Sequence, residues 1–334
     1  MKQIFQILSV LTILSGCNYE INDEHLEINL EKTMLEDYWI KNIAFDADGT
    51  AWLGTVDNGI ICVRNNQFTF YNSENSGFPD TTWISDMEID SKGNLWIAHQ
   101  GLTKFDGIQF TNCCDEIADI PIIDIEIDGT DKLWLALSSY ELGCLATYDE
   151  ENGLQFPEDS IGFEVKHINS LALDSNDNLW IAGYDYVNFT FLFKSSKNGW
   201  IRYGEEDLGF NPYWIRDIDI DSKDRVWGLI DYSLSSMIIT NQPVVFNYDG
   251  KDCSTYNSAD TTLSFSFTTG IAIDNCDRVW TLLHNSIEIL SNDNWEAAYE
   301  APEELSFFTI EHSKNGEAWV GTNNGVLIFS LETQ

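Results

Sequence analysis

The chain has few cationic residues. It contains 17 Lys and Arg against 55 Asp and Glu in 334 residues, which gives a formal net charge of −38 at pH 7. Proteins that bind nucleic acids neutralise phosphates with basic patches, and segments that hold anionic lipids use the same residues. The composition therefore argues against a nucleic-acid partner and against electrostatic binding to a membrane surface. It favours a soluble domain and permits a cationic ligand or a divalent ion.

Long hydrophobic runs are scarce as well. Beyond the N-terminal segment, no stretch approaches the roughly 18 apolar residues of a transmembrane helix. The N-terminal segment itself has Lys2, an apolar stretch at residues 4–14 and then Leu14-Ser-Gly-Cys17. The stretch is too short to span a membrane, and it resembles the signal peptide and lipobox of bacterial lipoproteins, in which cleavage precedes a cysteine that is then lipidated.

This resemblance divides the chain into three parts. We expect a signal peptide at residues 1–16, a lipidated tether at residues 17–24 with the lipid on Cys17, and a folded domain at residues 25–334. The tether is acidic at residues 20–24, which favours an outer-membrane lipoprotein and leaves the leaflet open. An ordinary secretion signal with an incidental cysteine is the alternative.

Cysteines that could form a zinc site are lacking, because no Cys-x-x-Cys pair occurs and the histidines are scattered. An exported protein could oxidise its cysteines, and the sequence leaves their pairings open. We interpret most of them as small core residues. The six that follow Cys17 are Cys62, Cys113, Cys114, Cys144, Cys253 and Cys276.

One short pattern recurs seven times and predicts the architecture. It reads Asp-x-x-Gly-x-apolar-Trp, with Asp in place of Gly in some copies and Ser in place of the first Asp in the last. The copies begin at Asp46, Asp90, Asp128, Asp174, Asp221, Asp274 and Ser313, and their Trp residues are 44, 38, 46, 47, 53 and 39 residues apart. Strand-rich units with a period of roughly 40–50 residues are typical of a β-propeller.

Each copy encodes four strands. In the second copy, alternating residues at 83–89 predict the first strand, turn formers follow, and residues 95–98, 102–105 and 108–110 predict the other three. Four antiparallel strands with short loops make one blade. The tryptophan on the second strand is expected to fill the space between adjacent blades.

The seventh copy lacks a fourth strand, since its third strand ends at residue 329 and only five residues follow. We predict that residues 26–30 supply the missing strand and close the ring, which leaves no exposed inner edge. The predicted fold is therefore all-β: a seven-bladed β-propeller of four antiparallel strands per blade, in one monomeric domain.

Acidic residues lie along the first strand of several blades. In a propeller this strand lines the central channel. Counted back from the first residue of each repeat, positions −4 and −2 share one face of that strand. Seven carboxylates occupy these positions: Asp86, Glu88, Asp124, Glu126, Asp217, Asp219 and Glu311. Carboxylates this close raise one another's pKa unless a cation lies among them, and Ca²⁺ prefers clustered oxygen ligands. The sequence predicts an acidic channel that either holds Ca²⁺ or is filled with water alone.

Aromatic rings and histidines collect at one channel mouth, where the chain enters the first strand and where the second and third strands are joined. They are Trp39, Trp83, His167, Trp214 and Phe267 at position −7, and His99, Tyr184, Tyr232 and His284 in the loops. Rings stack on the faces of sugars while neighbouring acids accept hydroxyl hydrogen bonds. We predict a ligand site here, with packing of half or more of these rings into the loops as the alternative.

Three copies resemble the two-component regulator propeller repeat, whose blades carry Ile-x-x-Asp-x-x-Gly-Asn-Leu-Trp-Ile-Gly-Thr-x-x-Gly-Leu. The matching stretches are residues 89–98, 316–326 and 51–60, whereas the fifth and sixth copies carry Asp-Arg in place of Gly-Asn. The resemblance covers nearly the whole of residues 25–334. It implies a seven-bladed propeller at the cell envelope that binds a ligand or a partner, as in the periplasmic sensing parts of hybrid histidine kinases.

These features favour a non-enzymatic envelope lipoprotein that binds a glycan fragment or a partner protein at the channel mouth. A second resemblance, to the Asp-Gly-Asn-x-Trp repeats of streptogramin lyases, implies the alternative of a propeller enzyme of the lyase or lactonase type. His99, His167 and His284 are then the available bases. A structural platform in an outer-membrane complex is the third reading. No cofactor is predicted apart from Ca²⁺.

Overall fold

The strands form a closed ring of blades. The computed structural model describes residues 26–79, 83–139, 144–157, 165–185, 189–211, 214–230, 243–257, 268–283, 285–291 and 294–333. Within these ranges the strands form seven four-stranded antiparallel sheets, and the innermost strand of each sheet contacts that of the next, with the seventh contacting the first. This is a seven-bladed β-propeller, as predicted. The described ranges contain no helix with the length and apolarity to cross a membrane.

The first three blades follow β1 (Leu26–Met34). Blade 1 consists of β2 (Ile40–Phe45), β3 (Ala51–Thr55), β4 (Ile60–Arg64) and β5 (Gln67–Tyr71). Blade 2 consists of β6 (Asp86–Ile89), β7 (Leu95–His99), β8 (Gly101–Phe105) and β9 (Phe110–Cys113), followed by a 3-10 turn at Asp115–Ile117. Blade 3 consists of β10 (Ile122–Ile127), β11 (Leu133–Leu137), β12 (Leu145–Asp149) and β13 (Gly153–Gln155).

The remaining blades repeat this order from the channel outwards. Blade 4 consists of β14 (His167–Leu173), β15 (Leu179–Asp185), β16 (Phe189–Ser196) and β17 (Gly199–Tyr203), followed by the short helix α1 (Glu205–Leu208). Blade 5 consists of β18 (Ile215–Ile220), β19 (Val226–Ile230), β20 (Pro243–Tyr248) and β21 (Cys253–Asn257). Blade 6 consists of β22 (Thr268–Ile273), β23 (Val279–Leu283), β24 (Ser286–Ser291) and β25 (Asn294–Glu300). Blade 7 consists of β26 (Phe307–His312), β27 (Ala318–Thr322), β28 (Gly325–Thr333) and β1.

The N-terminal strand closes the ring. β1 pairs antiparallel with β28 from Leu26 opposite Thr333 to Met34 opposite Val326. Ile28 packs against the core between blades 6 and 7, and Met34 is buried in the core between blades 7 and 1. The predicted closure by residues 26–30 is confirmed, and the pairing extends four residues further than predicted.

One strand of the second blade differs from its prediction. The fourth strand begins at Phe110 rather than at Ile108, whose side chain is 89% exposed. The cause is local, because the Asp106 carboxylate accepts the backbone N–H groups of Ile108 and Gln109 at 2.9 and 2.8 Å. That Asx turn keeps both residues out of the strand.

The first aspartate of the repeat holds the hairpin between the two inner strands. In blade 2, Asp90 Oδ1 accepts the N–H groups of Lys92 and Asn94 at 3.0 and 2.8 Å, while Oδ2 accepts the indole N–H of Trp96 at 3.0 Å. The same pair of turn hydrogen bonds recurs at Asp46, Asp128, Asp174, Asp221 and Asp274. The motif is therefore a turn, and in blades 2, 3, 5 and 6 its aspartate also accepts the indole N–H of the repeat tryptophan.

Each of these tryptophans packs into the following blade. Trp52 contacts the core of blade 2, Trp96 that of blade 3 and Trp180 that of blade 5. Trp227 and Trp280 do the same for blades 6 and 7. Trp134 and Trp319 are half-buried but reach the same position against blades 4 and 1. The predicted role of the tryptophans between blades is confirmed.

The fourth residue of the turn has a left-handed backbone, which favours glycine. Some copies nevertheless have aspartate there, and the side chain of that aspartate explains why. Gly93 has φ of +83°, and Asp224 and Asp277 occupy the same position with φ of +60° and +59°. The carboxylate of Asp277 accepts both the N–H and the hydroxyl of Ser222 in the preceding blade, at 3.0 and 2.7 Å. Asp224 binds Ser175 in the same way. These aspartates fasten one blade to the next, which offsets the strain of a positive φ.

Ring closure can be tested by truncation. A chain that starts at residue 31 lacks five residues of β1, so that Phe329 to Thr333 lose their partners. We expect a markedly lower Tm and a tendency to associate through the exposed strand edge, measured by calorimetry and light scattering against a chain that starts at residue 25. An unchanged Tm would show that β1 does not hold the ring.

The repeat aspartate can be tested in blade 5. Asp221 accepts the indole N–H of Trp227 at 2.9 Å and the Arg225 Nε at 2.6 Å, and its side chain is buried. Asp221→Ala leaves both donors without their acceptor, so it should cost about 3 kcal/mol or more of unfolding free energy. The matched control is Asp249→Ala, which removes an exposed turn aspartate with no buried partner and should leave the denaturation midpoint nearly unchanged. Equal effects of the two substitutions would contradict this role.

Candidate functional site

The seven inner strands enclose a central cavity of about 730 Å³. This volume lies in the range of small-molecule sites, roughly 300–1,000 Å³. All seven carboxylates named from the sequence line it. The structure thus places the two acidic positions of each inner strand toward the channel, whereas binding of a ligand there stays a prediction.

Several of these carboxylates bridge neighbouring blades. Asp86 Oδ2 accepts the N–H of Ile125 at 3.0 Å, and Asp124 Oδ2 accepts the N–H of Leu171 at 2.6 Å. Further around the ring, the same kind of bond joins Asp217 to Ile271 at 2.9 Å and Asp219 to Ile273 at 2.7 Å. Because the inner strand has no sheet neighbour on its channel side, its N–H groups need such acceptors. The aspartates are therefore part of the ring itself.

Several carboxyl groups of the cavity have raised pKa values. Burial, and then the neighbouring Asp86, raise the pKa of Glu88 to about 8. Burial and nearby carboxylates raise the pKa values of Glu126 and Glu311 well above the ordinary range, and burial raises that of Asp219 to about 7. Some of the seven carboxyl groups are therefore protonated at neutral pH, so the cavity is less negative than seven ionised groups would make it.

A metal site does not emerge from this arrangement. Among the described residues, no three His, Cys, Asp or Glu side chains are grouped so that they could hold a metal ion. The geometry gives the Ca²⁺ hypothesis no support. Among the described cysteines, Cys62, Cys113, Cys114 and Cys253 are free thiols.

A β-bulge in the inner strands changes which residues face the cavity. In six blades the pairing of the two inner strands skips the residue at position −5. A bulge leaves its extra residue unpaired and re-aims the side chain. The skipped residues all line the cavity, and they are Lys41, Ile123, Asn169, Arg216, Thr269 and Phe308.

Regular alternation along the strand would turn the side chain at position −5 toward the core. The sequence prediction therefore missed Lys41, Arg216 and Phe308. The signal is present in the sequence, because two core residues in or just before the inner strand of blades 1–5 and 7 are three apart instead of two. The pairs are Ile40 and Ile43, Ile84 and Met87, Ile122 and Ile125, Ile168 and Leu171, Ile215 and Ile218, and Phe307 and Ile310, all of them buried.

One group of aromatic rings lies at the mouth on blades 7, 1 and 2. Trp39 and Trp83 are 51% and 59% exposed, whereas the other described tryptophans are buried or half-buried. The ring centroid of Trp39 is 6.1 Å from that of Phe308. Lys41 Nζ lies 3.5 Å from the Phe308 centroid and 5.5 Å from that of Trp83. Lys41 of blade 1 thus connects a ring of blade 7 with a ring of blade 2 by cation–π contacts.

A second aromatic group lies across the ring on blades 4 and 5. The Tyr184 and Trp214 centroids are 4.9 Å apart, and His167 packs edge-on against Tyr184 at 5.2 Å. All three side chains are half-buried. Burial lowers the pKa of His167, which keeps its imidazole neutral at pH 7.

The remaining predicted mouth residues have other positions. His99 is buried at 6% exposure, and its Nε2 is 2.7 Å from Thr103 Oγ1. It does not line the central cavity, because its side chain at the end of β7 packs against Phe78. Tyr232, Phe267, His284 and the lipidation residue Cys17 lie outside the described residues.

Comparison with known proteins identifies the fold. No protein-family model matches the chain, and no curated protein matches its sequence. The extracellular domain assigned to the hybrid two-component system BT3049 from B. thetaiotaomicron superposes with a TM-score of 0.70 at 16% identity, over 91% of this chain and 41% of that one. PorZ, a bacterial surface component of the type-IX secretion system of Porphyromonas gingivalis, gives 0.64 at 13% identity, over 90% and 48%.

A third structure is an enzyme of similar size. The catalytically inactive His-to-Ala variant of virginiamycin B lyase from Staphylococcus aureus, solved with quinupristin, gives a TM-score of 0.68 at 13% identity, over 92% of this chain and 99% of that one. At these identities the likeness extends to the fold alone. The chain spans less than half of the BT3049 domain and of PorZ.

The raised pKa values predict how stability depends on pH. Glu88 has an ordinary pKa of 4.5 and a folded pKa of about 8. The folded state therefore binds more protons between these values, and the contribution to stability that is complete below pH 4.5 is lost as the pH rises to 8. Glu126, Glu311 and Asp219 act in the same direction. We expect Tm to fall from pH 5 to pH 8.

Glu88→Gln should reduce this fall, because it removes one of the titrating groups, whereas Glu303→Gln on an exposed loop should leave it unchanged. Buried His312 acts in the opposite direction, since burial lowers its pKa from 6.5 to about 4 and stability is lost as the pH falls between these values. Calorimetry at pH 5, 6.5 and 8 measures the net effect. A Tm that rises steadily across this range would contradict the assignment.

Proposed function

We propose that the protein is a non-enzymatic binding propeller of the bacterial cell envelope that takes up a glycan fragment at the mouth of its central cavity. The observation that carries this proposal is the exposure of Trp39 and Trp83 beside a polar cavity. An exposed large ring loses contact with water when a sugar face stacks on it, and nearby polar groups then set the orientation of the ligand.

The arrangement at the mouth supports a ligand of several sugar units. Aromatic groups stand on opposite sides of the ring, on blades 7, 1 and 2 and on blades 4 and 5. Between them lie polar side chains of the inner strands, including Asn42, Ser85 and Thr309. A ligand that contacts both groups must span the cavity, so a single small ion or a monosaccharide would use only part of this surface.

Placement at the cell envelope rests on the N-terminal sequence and on the neighbours in fold. We propose that residues 1–16 are a signal peptide and that a lipid on Cys17 anchors the propeller to the outer membrane. A hybrid two-component system's extracellular domain and a bacterial surface component of a secretion system are among the proteins of similar fold. Both carry this fold outside the cytoplasm, which supports the same location here.

Binding can be tested with a panel of oligosaccharides in a thermal-shift assay. A ligand present at 100 times its Kd adds about 2.7 kcal/mol of stability. Trp39→Ala and Trp83→Ala should each weaken binding by roughly tenfold or more, the effect of removing a central aromatic contact, while Tm without ligand stays nearly unchanged because both rings are exposed. Isothermal titration calorimetry measures the affinity.

Ile108→Ala is the matched control, since Ile108 is an exposed apolar residue of an outer loop and should leave binding intact. If no oligosaccharide shifts Tm while the protein is folded, the glycan proposal fails and a partner protein becomes the better reading. Co-purification of the lipidated protein from membranes would then identify that partner.

An enzymatic role is the second candidate, favoured by the lyase whose chain the fold matches over 99% of its length. His167 and His312 are the described histidines that line the central cavity, and His167 packs against Tyr184 and Trp214. Mass spectrometry of the oligosaccharides after incubation distinguishes the roles. Cleavage that is lost in His167→Ala would establish an enzyme, and intact ligand would support binding alone.

A further inference from the structure

Two cationic side chains line the cavity mouth. Lys41 on blade 1 and Arg216 on blade 5 are the bulge residues of their strands, and both line the central cavity. Bulges next to functional sites serve to aim a particular side chain. In a chain with 17 basic residues against 55 acidic ones, two cations directed at one opening need a physical explanation.

The environment of Lys41 differs from that of most other described cations. Lys194, Arg225 and Arg278, for example, form ion pairs with repeat aspartates at 2.7, 2.6 and 2.6 Å. Over the described ranges Lys41 forms no ion pair with a carboxylate, and its ammonium group instead lies 3.5 Å from the Phe308 ring centroid.

The two cations also influence each other. Burial, and then the positive charge of Arg216, lower the pKa of Lys41. Both side chains line the same cavity, so their positive charges act on the same space at its opening. An anion bound there would stabilise the charged form of Lys41, because an opposite charge favours the ionised form.

We propose that the ligand of this mouth is an acidic saccharide, whose carboxylate or sulfate group binds between Lys41 and Arg216 while its rings stack on Trp39 and Trp83. This inference rests on the proposed glycan function and narrows it to one chemical class. The planar guanidinium of Arg216 matches the two oxygens of a carboxylate, and the lysine adds a point charge.

The deeper part of the cavity supports one orientation of the ligand. Deeper in the channel lie the carboxyl groups of Glu88, Glu126 and Glu311. Their raised pKa values leave them largely protonated at neutral pH, so they add little negative charge and exchange hydrogen bonds with hydroxyl groups. The acidic group of the ligand is therefore held at the mouth, and neutral hydroxyls point inward. This layering gives the ligand an orientation as well as a class.

The competing explanation is that Lys41 and Arg216 merely compensate the carboxylates of the channel. Arg216 does act on its neighbour, because its charge opposes the rise that burial causes in the pKa of Asp217. The two explanations differ in a measurable way. Compensation predicts that removing a cation changes stability and its pH dependence, whereas anion binding predicts a specific loss of affinity for charged saccharides.

The experiment compares an acidic saccharide with its neutral ester, and adds a saccharide that carries sulfate instead of carboxylate. Trigalacturonate, its neutral methyl ester and a sulfated galactose disaccharide are titrated into the propeller by calorimetry at 20 mM and 300 mM salt. We expect the acid to bind at least tenfold more tightly than the ester, and salt to reduce this preference. Binding of the sulfated sugar in addition would show that the site recognises negative charge in general, whereas binding of trigalacturonate alone would assign it to carboxylates.

Lys41→Met and Arg216→Met keep most of the aliphatic stem and should each weaken binding of the acid by about tenfold, with the ester unaffected. Lys251→Met is the control, since it removes the same charge from an exposed turn of blade 5 and should change affinity less than twofold. Equal binding of acid and ester, with unchanged affinities in both variants, would overturn the inference and leave the glycan function standing. Absence of binding by all three saccharides, in a folded protein, would overturn both.

Discussion

The hydrogen bonds of the repeat aspartate are the interaction on which the rest of this structure depends. One carboxylate oxygen closes the turn between the two inner strands, and in blade 2 the other receives the indole N–H of Trp96. The indole is thereby held against the core of the next blade. A single short motif thus determines the hairpin within a blade and the contact between blades, and its repetition around the chain generates the ring.

At the centre of the ring, the innermost strand of each blade has backbone N–H groups without a sheet partner on the channel side. Four carboxylates accept such N–H groups from the following blade, and they belong to Asp86, Asp124, Asp217 and Asp219. The acidity of the channel is therefore explained in part by the fold, before any ligand is considered. Stability depends on pH through the raised pKa values of Glu88, Glu126 and Glu311 and of the bridging Asp219.

The bulge in the inner strands gives the cavity mouth its chemical character. It places Lys41, Arg216 and Phe308 around the opening, above the level of the carboxylates. Cations and aromatic rings at the mouth and acids below form a layered site, in which charge and shape both vary with depth. Such a site selects for ligands that carry a charged end and a polar, hydroxyl-rich remainder.

The sequence by itself determined the architecture, because the repeat, its spacing and the missing last strand are local patterns with one geometric solution. It also placed the seven carboxylates on the channel-facing strands, since alternation along a strand requires only a known period. Only the tertiary structure decided that Asp86 or Asp217 is used between blades, that His99 turns inward, and that Lys41 and Arg216 reach the mouth. These outcomes depend on the bulge and on contacts between blades roughly 40 residues apart. The alternation of residues along one strand gives no information on either.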